Sequence, residues 1–380
     1  MPRHLMYLYP WDLREDGADL IAQRLAAAGA TGVALSASYH SGKFVRPHGQ
    51  DKVVFPEGNT TYFRPDPRRY RRLVPEQAAM SRDFDSFRAL AEGAPELSVT
   101  AWTIGLHNSR LGRLHPELAA QTVYGGPLVN SLCPSQPEVR HYLGALCADT
   151  AAQPGVCEIA LEAPGWQAFR HGYHHEFELI ELPEPVQVML GTCFCAACTE
   201  RARGAGLDLG RLARRTRAEL DAFFADGTPP PTDPRTDAEW RALVDWRGAT
   251  VAELATEVRA GLPAGVALAV IPTVQSPNSL CWTEGSDLSR LGRAADRLEV
   301  PAYQSGVAAI LADAAEVVRA AGTEADTGFI LRPTWPNLTD AAQVAEAVRG
   351  LRGLGASSIS FYNYGHMRLQ SLDWIAAALS

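Results

Sequence analysis

Leu5-Met-Tyr-Leu-Tyr9, the alanine-rich segment Gly17 to Ala28, the turn Ala28-Gly-Ala-Thr-Gly32 and the run Gly32-Val-Ala-Leu-Ser-Ala37 follow one another near the start of the chain. A short apolar run, a helix-length amphipathic segment and a second apolar run reached by a tight turn form the pattern of a βαβ unit. The same rhythm continues outward. Strands are expected at Leu97 to Ile104, Cys157 to Leu161, Val266 to Ile271, Leu298 to Tyr303, Gly328 to Leu331 and Ser358 to Tyr362. Helices are expected near Phe84 to Glu92 and Pro137 to Ala152, with a closing helix from Ser371 to Leu379. Eight such units close a (β/α)8 TIM barrel of the α/β class. No glycine-rich phosphate fingerprint follows the first strand, which argues against a doubly wound open sheet.

Turns entering the strands are short, as in Gly353-Leu-Gly-Ala356, while the stretches after strands two, three and four are long. In a barrel the loops leaving the C-terminal strand ends build the active site, so the extra residues lie on the catalytic face. Residues 1–380 are therefore expected to form a single barrel with an insertion at about 163–262. Asp226-Gly-Thr-Pro-Pro-Pro-Thr-Asp-Pro234 reads as an exposed linker between two helices of that insertion.

Of the 380 residues 46% are hydrophobic and 21% charged, which suits a globular chain with a large core. A net charge of −8 gives no attraction to nucleic acid or to an anionic membrane surface. The first residues lack the basic head and long apolar stretch of a signal peptide, and no run is long enough to span a membrane. A cytoplasmic location is the expectation, with homo-oligomer formation left open. In a reducing compartment seven cysteines, an odd number, read as thiols or metal ligands rather than disulfides.

Cys193-Phe-Cys195-Ala-Ala-Cys198 places three thiols within six residues, just before a helix expected near Glu200. Such thiols can converge on one tetrahedral zinc, and Cys133, ahead of the third helix on the same barrel end, is the best fourth ligand. Cys147 falls inside a helix, Cys157 in strand four and Cys281 in a distant loop. A closed four-sulfur site leaves no open position for water, so its role would be structural.

Cysteine in the context Cys133-Pro-Ser-Gln-Pro137, followed after strand four by the Cys193, Cys195, Cys198 cluster, resembles the family-42 β-galactosidases. More broadly the pattern is similar to barrel glycoside hydrolases of the same clan. The resemblance implies zinc held by the four cysteines close to an active site, and Glu162 as the general acid/base at the end of strand four. A carboxyl group facing a partly apolar mouth beside Trp166 would have its pKa raised and could protonate a leaving oxygen. Glu158, four residues earlier, would sit deeper in the barrel.

Strand seven departs from that family, whose nucleophile is a glutamate at its end. Here the segment reads Gly328-Phe-Ile-Leu-Arg332-Pro-Thr-Trp335-Pro-Asn337, without a carboxylate, and Glu324 and Asp326 precede the strand. Candidates for the second carboxylate are Glu284, Asp287 and Glu176, with Glu284 taken as the second catalytic group. An inverting reaction tolerates a pair ~6.5–9.5 Å apart, a retaining one about 5 Å.

Other strand ends carry groups suited to a small carbohydrate: Tyr39, His40, Lys43 and Arg46 after strand two, and His107, Asn108 and Arg110 after strand three. Trp166, His175, Trp335 and Asn363 extend that set, and Trp11 and Trp102 could frame the same pocket. The segment His171-Gly-Tyr-His174-His175-Glu176 supports a rival reading, a metal-dependent lyase, isomerase or hydrolase that also uses His40 or His107. A third reading is a non-catalytic sugar-binding barrel.

Overall fold

The structure is a computed structural model that describes residues 3–173 and 181–380. Eight parallel strands carry the fold: β1 (Leu5–Leu8), β2 (Gly32–Tyr39), β3 (Ser98–Ile104), β4 (Val156–Glu162), β5 (Ala267–Ile271), β6 (Arg297–Ala302), β7 (Thr327–Leu331) and β8 (Ile359–Phe361). Each pairs with the next, Leu5 opposite Gly32 and Glu162 opposite Ile271, for example. Met6 opposite Phe361 returns β8 to β1, so the sheet closes into a (β/α)8 TIM barrel.

The two-residue strand period sorts side chains between two cores. Leu5, Tyr7, Ala34, Trp102, Ala160, Ile271 and Ile330 point into the barrel. Met6, Leu8, Val33, Leu35, Ile159 and Leu161 face the surrounding helices. The lower end of the barrel is closed by an ionic group. Arg297 bonds Glu158 at 2.8 Å and lies 3.4 Å from Glu299, while Arg3 also pairs with Glu158. Glycine at 328 leaves room for it, since a Cβ there would come within 2.8 Å of the Glu299 carboxylate. Glu158 is thus consumed in structure, as its depth suggested.

The first expected helix runs Ala18–Ala27, and an additional helix, Pro10–Asp16, precedes it, the two parted by Gly17 at a φ of +79°. The helix expected from Phe84 runs Ser86–Gly93, its first turn capped by Asp85. After β2 the chain makes a small hairpin, Phe44–Val45 with Val53–Val54. After β3 it forms the helix Ser109–Leu114 and a second hairpin, Ala119–Gln121 with Pro127–Leu132. The insertion after β4 contains the helices Glu184–Gly191, Ala196–Gly204, Leu209–Asp226 and Ala238–Gly261 among the described residues. The proline-rich 226–234 segment does join two of them. No helix among the described residues is long and apolar enough to cross a membrane.

Candidate active site

A cavity of about 350 Å³ opens at the C-terminal end of the strands. That volume lies in the ~300–1,000 Å³ range of small-ligand sites. Its wall is largely aromatic: Tyr7 from β1, Tyr39 from β2, Trp102 from β3, Tyr303 just past β6 and Tyr362 just past β8. Trp102 meets Tyr7, Tyr39 and Tyr362 edge-on at centroid distances of 5.3, 4.9 and 5.7 Å. The Tyr9 hydroxyl, below the rim, bonds the Tyr362 hydroxyl at 2.7 Å.

Glu162, the last residue of β4, is the one carboxyl lining this cavity among the described residues. Burial pushes its pKa up to about 7. Two groups pull the other way: the Trp102 indole, which donates to Oε2 at 2.8 Å, and the more distant positive charge of Arg332. The partner indole is therefore Trp102 and not Trp166. A half-buried carboxyl with one neutral donor and no ion pair among the described residues can hold a proton at neutral pH and release it to a basic oxygen.

Trp166 packs in the core beneath the Arg247 guanidinium, 4.6 Å from its ring centroid, and does not line the cavity. Glu284 ends the short 3-10 helix Asn278–Glu284 after β5, buried behind the wall. Thr273 and Gln275 both donate to its Oε1, at 3.1 and 2.9 Å, and burial raises its pKa to about 8. Glu284 does not line the cavity, yet it lies near enough to Glu162 for that carboxyl to raise its pKa further. Asp287 caps the helix Leu288–Ala294 through the Arg290 N–H.

The other expected contacts divide. Tyr39 and His40 line the cavity, and Trp335 stands 79% exposed on the loop leaving β7. Arg46 instead turns away, bonded to Asp12 at 3.0 Å and Glu15 at 2.5 Å, with its side chain buried. Lys43 is exposed outside the cavity. Asn108 caps the helix Ser109–Leu114 through the Leu111 N–H, and Asn363 accepts the Gly365 N–H in a buried turn. Arg110 reaches Glu76 at 2.9 Å beside a separate shallow groove. His175, with His174 and Glu176, lies outside the described residues.

Three imidazoles do meet at the rim. His107 stacks on His40 at 4.7 Å, and its Nδ1 lies 3.1 Å from Nε2 of His171. Burial holds His107 well below the usual histidine range, with the neighbouring His40 and His171 adding to the effect. Tyr7, Tyr303 and Arg332 were not singled out as site residues from the sequence. Their signal was available: each sits at or one residue past a strand on the inward parity.

Behind the site, Cys133, Cys193, Cys195 and Cys198 converge, all buried, with their sulfurs within 4.8 Å of one another. Cys133 lies 3.4, 3.7 and 3.8 Å from Cys198, Cys195 and Cys193. Tetrahedral zinc with bonds of ~2.3 Å separates its sulfurs by about 3.8 Å, so the four thiols fit that ion. Backbone N–H groups of Gln121 and Cys198 point at Cys193 and Cys195 sulfurs, at 3.3 and 3.4 Å. The following helix begins at Ala196, earlier than expected, because Cys195 itself caps it.

Neither a family model nor a curated protein matches the sequence. Solved structures do match the fold. The glycoside hydrolase domain of PgaB (BpsB) from Bordetella bronchiseptica superposes with a TM-score of 0.64 at 14% identity, over 100% of this chain and 99% of that one. A β-galactosidase from the psychrophilic Marinomonas ef1 gives 0.58 at 13%, over 99% of this chain and 59% of that one. The catalytic domain of β-amylase from Paenibacillus polymyxa gives 0.55 at 10%, over 100% and 98%. At these identities the likeness is one of fold.

Proposed function

We propose that the chain is a glycoside hydrolase in which Glu162 is the general acid. The observation that carries this reading is a carboxyl group with a pKa of about 7 at the end of β4, in an aromatic cavity of small-ligand size. The fold-level neighbours, which include a glycoside hydrolase domain, a β-galactosidase and a β-amylase, are in keeping with it. Aromatic rings favour the apolar faces of a sugar, and exposed Trp335 offers a stacking surface outside the cavity. In the step assigned to Glu162, its proton passes to the glycosidic oxygen as the bond to the anomeric carbon breaks. The bond's electron pair goes to that oxygen, and the carboxylate left behind faces the developing positive charge. As a base it can then take a proton from the incoming water.

The four cysteines are proposed to hold a structural zinc, which would tie the insertion after β4 to the Cys133 segment. Zinc takes no part in the chemistry of this reading. None of the seven cysteines is in a disulfide, which is in keeping with the reducing, cytoplasmic location proposed for the chain. The test of function is a screen of glycosides with poor leaving groups, phenyl and alkyl glycosides, with the wild type and Glu162→Gln. Turnover that needs Glu162 supports the reading, and turnover indifferent to the substitution removes it.

A second reading is a metal-dependent lyase, isomerase or hydrolase at the rim where His40, His107 and His171 meet, although among the described residues the four cysteines are the one group close enough to share an ion. Activity abolished by chelators and by His107→Ala, yet retained in Glu162→Gln, would establish it over the first.

A further inference from the structure

Arg332 ends the inward row of β7, where its guanidinium lies against two rings of the cavity wall. Its Cζ is 3.8 Å from the Tyr303 ring centroid and 4.9 Å from that of Tyr362. Both rings hold the guanidinium through cation–π contacts. Nε is buried without a hydrogen-bond partner, and no carboxylate lies within ion-pair distance among the described residues. Arg247, fully buried, is likewise held over a ring, that of Trp166, with its Nε unpartnered, whereas two other buried arginines of this barrel are ion-paired. Arg46 is paired with Asp12 and Glu15, and Arg297 with Glu158 and Glu299. Arg332 is also the one arginine or lysine lining the cavity among the described residues.

We propose that the cavity selects a carboxylate-bearing sugar, such as a uronic acid unit of a glycan, and that Arg332 receives its carboxylate. The proposal rests on the reading of this cavity as a carbohydrate site and names its substrate class. A planar carboxylate can take two N–H donors at one edge of the guanidinium that lines the cavity. Tyr303 and Tyr362 fix that edge before the ligand arrives, which reduces the ordering needed on binding. Glu162 shares the cavity, and its raised pKa leaves it largely uncharged below neutrality, so a bound carboxylate meets little repulsion there.

The test compares matched sugars that differ at one carbon: methyl glucuronide against methyl glucoside, and methyl galacturonide against methyl galactoside. Binding is followed by calorimetry on the full chain, in the wild type and in the Glu162→Gln background where turnover is blocked. The expected result is binding of one uronide at least about tenfold tighter than its neutral partner. Arg332→Gln should abolish the preference and Arg332→Lys, a point charge without the fork, should restore only part of it. The wild-type comparison alone decides the matter if a variant fails to fold.

Equal or tighter binding of the neutral sugars, or no binding of either kind, overturns the proposal. So does a preference that survives Arg332→Gln. Stronger binding of galactose 6-sulfate than of either uronide overturns it in favour of a tetrahedral anion. Uronide preference without hydrolysis of any glycoside would support this assignment and defeat the hydrolase. Glu162-dependent hydrolysis of neutral aryl glycosides without uronide preference would do the reverse.

Discussion

Trp102→Phe removes the one hydrogen bond that Glu162 receives from another side chain among the described residues, while leaving an aromatic ring against Tyr7 and Tyr39. The indole N–H donates at 2.8 Å, and this bond is stronger to the carboxylate than to the carboxylic acid. A hydrogen bond to a charged group contributes about 1.5–3 kcal/mol against ~0.5–1.5 for a neutral one. The difference, roughly 1–1.5 kcal/mol, converts to about one pKa unit. Loss of the donor disfavours the ionised form, so the pKa should rise from about 7 toward about 8. A general acid works protonated, and activity falls as pH rises through its pKa. The alkaline limb of kcat/KM for an aryl glycoside, which reports the free enzyme, should therefore move up by about one pH unit. The direction is diagnostic. If the substitution merely loosened the wall and let water reach Glu162, the pKa would fall toward its usual 4.5 and the limb would move to lower pH. A limb that stays in place or moves acid would refute the assignment of that limb to Glu162 through Trp102.

Glu284 binds a proton in the folded state up to about pH 8 but only to its usual 4.5 when unfolded, so stability falls as pH rises between those values. Denaturant titrations should show Glu284→Gln gaining on the wild type by up to ~1.4 kcal/mol per pH unit across that window, and a pH-independent difference would contradict it. Metal analysis of the purified protein should give about one zinc per chain, lost in Cys195→Ser; a metal-free wild type that is fully folded would count against the zinc. Arg46→Ala strands the buried Asp12 carboxylate and should cost about 3–5 kcal/mol of stability, whereas a sugar contact would raise KM and leave stability alone. A Cβ at Gly165 would lie 2.1 Å from the Glu284 carbonyl that the Trp166 N–H bonds, so Gly165→Ala should destabilise by about 1–3 kcal/mol in thermal or denaturant unfolding.

The barrel was legible because each strand states its own parity. Leu5 and Tyr7 against Met6 and Leu8, and Glu158, Ala160 and Glu162 along β4, show which residues face inward. Strand position then set depth, separating Glu158 in the ionic plug from Glu162 at the mouth. The cysteines were legible for a different reason: three thiols within six residues have few other uses, and Cys133 leads into the helix beside them. Polar residues beyond the strand ends were harder to place. Their position gives the end of the barrel but not the side-chain direction, so Arg46, Lys43 and Asn108 looked like ligand contacts. Asp12 and Glu15, which claim Arg46, come from another βα unit and leave no trace in its local sequence. Arg332 went unassigned because the end of strand seven was searched for a carboxylate. Its meaning emerges only with Tyr303 and Tyr362, each contributed by a different strand end.

Leaving-group dependence of the Glu162→Gln defect tests the general-acid assignment most directly. Proton donation matters when the departing alcohol is a poor leaving group and little when it departs as a stable anion. The variant should therefore lose about 10²-fold or more in turnover on alkyl glycosides, and far less on the matching dinitrophenyl glycoside. An equal loss on both substrates, or no loss on either, would contradict Glu162 as the proton donor.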